Sequence, residues 1–133
     1  MYLFRLSEIG QLAARAEAVF PREASGLLVR RAVRGDHLLS VCVTSDAENT
    51  IDSFRIRDAE IDRLTRELRG TNGRVGGCFH SHSLGRARPS RVDRAQPKKM
   101  GELWLIYSVP ERDLQLFEWN GTAFRPRRYR ILL

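Results

Sequence analysis

Two of the chain's three histidines, His80 and His82, stand one residue apart in the stretch CFHSHSLGRARPSRVDRAQ. On a β-strand, residues two apart project to the same side. The spacing therefore predicts two imidazoles on one face, with Ser81 pointing away. Paired neutral imidazoles are a common beginning of a zinc site, and a catalytic zinc takes three protein ligands and keeps one position open. Asp93 is the natural third ligand. Gly85 and Pro89 let the loop turn back, and Ser90 can cap a short helix whose first turn presents Asp93. An attacking water also needs a proton acceptor. Glu23, in PREASGLL, lies between a helix end and a strand start with small residues after it, and is a candidate for that role.

Taken singly, these residues have plainer uses. An HxH recurs by chance, Asp93 suits a helix N-terminus by charge, and Ser90 suits an N-cap. His37 reads as a solvated residue of a hairpin. Only the joint arrangement points to a metal.

The elements that must position them are legible along the chain. Met1–Arg5 reads as a strand. Ser7–Phe20 reads as a helix capped by Ser7, with Ile9, Leu12, Ala13, Ala16 and Phe20 at helical spacing and Pro21 ending it. SGLLVRRAVR (Ser25–Arg34) and HLLSVCVT (His37–Thr44) are strands joined by a turn at Gly35. The RGD tripeptide there reads as turn chemistry and not as an adhesion signal. Asp46–Phe54 is polar and reads as a loop. Asp58–Arg69 is a second helix with Ile61, Leu64 and Leu68 on one face and Gly70 at its end. RVGGCFHSHS is the histidine strand, followed by a loop and a short helix from Pro89 or Ser90. LWLIYSVP and DLQLFEWN are strands, Asn120–Gly121 marks a further hairpin, and AFRPRRYRILL closes the chain. This mixture predicts one α+β domain over residues 1–133, built on a curved, mostly antiparallel sheet flanked by helices.

Composition narrows the function classes. The chain has 133 residues and a formal net charge of +7. It carries no apolar run of membrane-spanning length and no secretory leader pattern, so a cytoplasmic location is expected, without a membrane. Cys42 and Cys78 are far apart in strand-like runs and are expected to be reduced and buried. The basic balance favours acidic partners. The arginines are scattered, without a block of like charges or interleaved aromatics, so nucleic acid is not the expected partner.

The polar positions together resemble the JAMM (MPN+) metalloprotease signature: an upstream glutamate, then H-[ST]-H, seven residues, S, two residues, D. Glu23, His80-Ser81-His82, Ser90 and Asp93 meet every position. FPREASGLL is similar to the prokaryotic pattern P-x-E-x-C-G-L-L, and Gly77 stands where that family places a small residue. The order of elements agrees with the MPN/JAB, cytidine-deaminase-like fold, so the resemblance spans nearly the whole chain and looks like a minimal prokaryotic member. It implies that His80, His82 and Asp93 hold one Zn2+, that Glu23 activates water, and that Ser90 stabilises the oxyanion. It further implies a peptidase or isopeptidase acting after the Gly-Gly tail of a ubiquitin-like or sulfur-carrier protein, in deconjugation or C-terminal processing, alongside an E1/E2-like enzyme system. The alternatives are a non-catalytic MPN scaffold and a nucleic-acid-associated RadC-like protein, although that branch typically shows HNHPSG where this chain has HSHSLG. Ser83 replaces the family's frequent proline and is expected to loosen the loop. Ser25 is a mild exchange near a frequent cysteine, and the chain lacks room for the insertions of larger deubiquitinases.

Overall fold

Arg34 and Gly35 both adopt positive φ, 50° and 86°, the backbone a two-residue hairpin turn requires. That turn joins β2 (Ser25–Val33) to β3 (Asp36–Val43), the first of several antiparallel pairs. The computed structural model describes residues 1–96 and 98–133. Ahead of the hairpin lie β1 (Tyr2–Arg5) and α1 (Leu6–Val19). After it come α2 (Asp58–Glu67), β4 (Gly73–His82), α3 (Arg91–Ala95), β5 (Leu103–Ser108), β6 (Asp113–Trp119), β7 (Phe124–Arg127) and β8 (Tyr129–Leu132).

The strands form one sheet in the order β7-β6-β5-β4-β2-β3-β1-β8. Pairs β1–β3, β1–β8 and β4–β5 are parallel, and the other four are antiparallel. The parallel β4–β5 pair follows from the crossover through α3. β7 and β8 sit at opposite ends of the order, yet only Arg128 separates them in the chain. Such a connection obliges the sheet to curl until its two rims meet. Tyr129 of β8 bridges them: its hydroxyl donates to the Leu114 carbonyl of β6 at 2.7 Å, and its ring packs edge-on against Phe4 of β1.

Both faces of the central strands are buried, which explains their near-continuous apolar runs. One face turns Leu28, Phe79, Leu103, Leu105 and Leu116 against Leu12, Ala16 and Val19 of α1. The other turns Leu27 and Val29 against Leu64 and Leu68, and Cys78, Trp104, Ile106 and Phe117 against Phe54 and Ala87. Beyond Gly77 the even-numbered residues of β4 share this second face with Cys78, and it is there that the histidines point.

A bulge sets their register. Leu28 pairs with Gly77 and Val29 with Val75, which leaves Gly76 as the extra residue. Gly77 has φ 153°, and a Cβ there would meet the Leu103 carbonyl oxygen at 1.7 Å. Only glycine allows β4 and β5 to approach this closely.

Several expectations are corrected. Ser7 is not the cap of α1: the helix starts at Leu6, directly from β1, and Arg5 occupies the N-cap without a side-chain bond. Glu8 in that first turn instead accepts from the Val41 amide at 2.5 Å and ties the helix to β3. Phe20 does not join the apolar face. It is exposed, because the residue before Pro21 takes extended backbone and leaves the helix, and Val19 is buried in its place. Cys78 is buried, but Cys42 is exposed, since the cluster beneath α2 is built from β2 and β4 and stops short of β3. His37 is half-buried, accepts from Arg30 Nε at 3.3 Å and packs against Tyr2. Among the described residues, no helix is long and apolar enough to cross a membrane.

Candidate metal centre

The site lies at the C-terminal end of β4. His80 is fully buried, stacked on Phe54 at 4.3 Å between ring centroids and held edge-on by Trp104. His82 donates from Nδ1 to the Arg86 carbonyl at 2.9 Å, so the neutral form of the ring has its lone pair on Nε2. The loop that supplies this carbonyl is pinned in turn: Ser108 Oγ donates to the Gly85 carbonyl at 2.7 Å, and Ala87 is buried beneath.

Asp93 arrives by helix. Ser90 is the N-cap of α3, as its sequence position predicts, and the two residues form a capping box. The Asp93 amide donates to Ser90 Oγ at 3.1 Å, and the Ser90 amide donates to Asp93 Oδ2 at 2.9 Å. At the other end of α3, Lys98 Nζ donates to the carbonyls of Asp93, Arg94 and Gln96. Its ammonium is moored 4.7 Å from the Trp119 ring, 5.2 Å from Phe124 and 5.6 Å from Trp104. A cation suits the C-terminal carbonyls of a helix and the faces of aromatic rings alike.

These elements bring three ligand atoms together. His80 Nε2 lies 3.1 Å from Asp93 Oδ2 and 3.1 Å from His82 Nε2, and His82 Nε2 lies 3.0 Å from Asp93 Oδ2. All three residues are buried. Tetrahedral zinc with bonds of about 2.0 Å separates its ligand atoms by about 3.3 Å, close to this triangle. Buried polar atoms normally have partners, yet Asp93 Oδ1, His80 Nδ1 and Glu23 Oε1 have none among the described residues. Two imidazoles and a carboxylate converging on one point, with unpaired polar atoms around them, fit a divalent cation.

Glu23 is 2% exposed and lines one small cavity together with His82 and Ser90. All five sequence-predicted residues are thus gathered at one place. The glutamate is held from two sides. Its amide donates to the Thr50 carbonyl at 2.8 Å, and Asn49 Nδ2 donates to its carbonyl at 2.9 Å. Asn49 also reaches Ser25 Oγ at 2.9 Å, so the serine at the family's frequent cysteine position belongs to the network behind Glu23.

The charges of the protein groups are unbalanced on their own. Burial, then the carboxylates of Asp93 and Asp52, push Glu23 up to about 9. Asp93 is held ionised: burial opposes its charge, but the bonds from His80 and His82 outweigh it. Burial lowers His80 and keeps it neutral. His82 is raised, because its bonds to Asp93 and to the Arg86 carbonyl overcome the burial. A cation would reverse the penalty on Glu23 and displace protons from the histidines.

Phe54, Asn49 and Lys98 were not singled out from the sequence. Phe54 and Asn49 lie in a segment whose polarity reads as plain loop, and nothing in the spacing of Lys98 announces its aromatic surroundings.

The family described as prokaryotic homologs of the JAB domain matches residues 7–120. The chain belongs to this prokaryotic JAB-domain family. No curated protein matches the sequence. Among solved structures, it is similar to a protein from Desulfitobacterium hafniense, with TM-score 0.86 and 22% identity over 99% of this chain and 93% of that one. It is also similar to a JAB1/MPN domain protein from Archaeoglobus fulgidus, with TM-score 0.60 and 16% identity over 100% and 97% of the two chains. A structure described as JAMM, a metalloprotease-like zinc site in the proteasome and signalosome, gives TM-score 0.57 and 16% identity over 100% and 98%. At these identities the likeness establishes the JAB/MPN fold.

Proposed function

We propose that this chain is a zinc-dependent peptidase or isopeptidase, cleaving after the Gly-Gly tail of a ubiquitin-like or sulfur-carrier protein. The observation that carries the reading is the convergence of His80 Nε2, His82 Nε2 and Asp93 Oδ2 at 3.0–3.1 Å in a cavity that Glu23 and Ser90 also line. Zinc held by these three residues supplies a Lewis acid, which acidifies water and polarises a carbonyl. Glu23 takes a proton from the attacking water and returns it to the leaving amine. Ser90 Oγ accepts the Asp93 amide, so its own proton is left to donate to the oxygen of the carbonyl under attack. The cavity, about 210 Å³, suits a tail without side chains, because glycine lets the backbone approach closely.

The test combines metal content with cleavage. Protein purified without chelator or histidine tag should carry about one zinc per chain, and should release the extension from a carrier protein ending in Gly-Gly plus a short peptide. Loss of cleavage in Glu23→Gln with zinc retained supports the assignment. A zinc-loaded chain that cleaves no such fusion would leave a binding scaffold as the better reading.

A further inference from the structure

Two serines alternate with the histidines. Ser81 and Ser83 flank His82 on the opposite face of the strand end, and both are buried, at 0% and 1% exposure. Each reaches the segment that bears Glu23. Ser83 Oγ donates to the Pro21 carbonyl at 2.6 Å, with the Arg22 carbonyl at 3.4 Å as a longer alternative. Ser81 Oγ accepts from the Ala24 amide at 2.7 Å, and the Ser81 amide donates to the Ala24 carbonyl at 3.0 Å. Glu23 therefore sits between two attachment points, one on each side, both made by residues adjacent to a metal-ligating histidine. The ties on its other flank, from Asn49 and Thr50, come from a loop that carries no ligand.

We infer that Ser83 is a positioning residue, which with Ser81 sets the location of the Glu23 carboxyl relative to His80 and His82. The assignment rests on the peptidase reading only for its effect on turnover; the clamp itself is a property of the fold. It also corrects the expectation that serine here loosens the loop. Proline has no hydroxyl, whereas Ser83 stitches the end of the histidine strand to the glutamate segment. The alternation of strand residues makes this possible: one face of the strand end presents ligands, while the other presents hydroxyls to the chain behind them.

The experiment compares wild type with Ser83→Ala and Ser83→Thr, and it needs two readouts. The first is the titration midpoint of the Glu23 carboxyl carbon in the metal-free protein, followed by 13C NMR. Wild type should titrate far above an ordinary glutamate, near 9. Ser83→Ala should fall by at least about one pH unit as the carboxyl leaves its dry position, and Ser83→Thr, which keeps the hydroxyl, should restore it. The second is turnover on a Gly-Gly fusion: kcat should drop about tenfold in Ser83→Ala with KM within about twofold and zinc content unchanged. An unchanged midpoint together with unchanged kcat in Ser83→Ala overturns the clamp. Absence of cleavage by wild type would count against the peptidase reading, while the NMR arm would still decide the clamp.

Discussion

His82 Nδ1 donates to the carbonyl oxygen of Arg86, four residues on, at 2.9 Å. That single bond fixes the neutral tautomer, so the nitrogen facing His80 and Asp93 is the one that offers a lone pair once a cation displaces its proton. A loop without regular structure thereby selects the electronic form of a strand residue. Substituting His80, His82 or Asp93 by alanine should abolish stoichiometric zinc, read by elemental mass spectrometry. Asp93→Ala should also lose stability, by about 0.5–2 kcal/mol, because it dismantles the capping box; His82→Ala lacks that component.

Glu23 gives a pH-dependent prediction. Its pKa in the metal-free fold is about 9, against 4.5 as the ordinary value. The unfolded chain releases this proton near 4.5 while the folded chain keeps it until about 9. The folded state is therefore favoured fully below 4.5, loses ground as pH rises, and levels off above about 9. At pH 7 the accumulated cost is about 3 kcal/mol, at about 1.4 kcal/mol per unit. Glu23→Gln removes it. Urea unfolding of the metal-free proteins should show the variant more stable by up to that amount at pH 7 and level with wild type at pH 4. Turnover should move the other way, falling at least about a hundredfold.

Ser90 has two separable duties. Ser90→Ala deprives the Asp93 amide of its acceptor and should cost about 1 kcal/mol in denaturant unfolding. Removal of the hydroxyl proton should lower kcat by about ten- to a thousandfold with zinc retained. A variant that loses stability but keeps kcat would confine Ser90 to capping.

Lys98 is worth a substitution although it touches no ligand side chain. Lys98→Met keeps the packing length against Trp104, Trp119 and Phe124 but withdraws the charge from the carbonyls at the end of α3. Zinc affinity, measured by competition with a chelating dye, should fall about tenfold or more, as it does when residues supporting metal ligands are lost.

Gly77→Ala should be among the most damaging changes away from the site. The added carbon would lie 1.7 Å from the Leu103 carbonyl oxygen, so β4 and β5 must separate or the bulge must unwind. A loss above about 4 kcal/mol, or failure to fold, is expected; a well-folded variant of ordinary stability would show that the bulge can relax.

Much of this was legible from residue types because the local signals agree with the tertiary structure. Strand periodicity put His80 and His82 on one face, Ser90 announced the helix that delivers Asp93, and Gly35 and Gly121 marked hairpins. The errors share one cause. Local pattern speaks for Ser7, Phe20 and Cys42, whereas their fates depend on what abuts them: a strand entering α1 without a loop, a proline turning the chain, and a core that ends before β3. Phe54 and Asn49 escaped notice because their partners, His80 and Glu23, are distant in sequence. Ser83 was misjudged for the same reason, its acceptor being the carbonyl of Pro21.

The meeting of the sheet's two rims has a consequence in time. β1 pairs along one edge with β8, Tyr2 opposite Tyr129 and Arg5 opposite Leu132. Closing a loop of that length costs roughly 4 kcal/mol on the logarithmic rule, and few local contacts offset it beforehand. On the ribosome, the first strand must wait with one edge bare until the last has been made. Final closure is thus a late and cooperative event, and a chain ending before Tyr129 would present β1 as an open template to its neighbours.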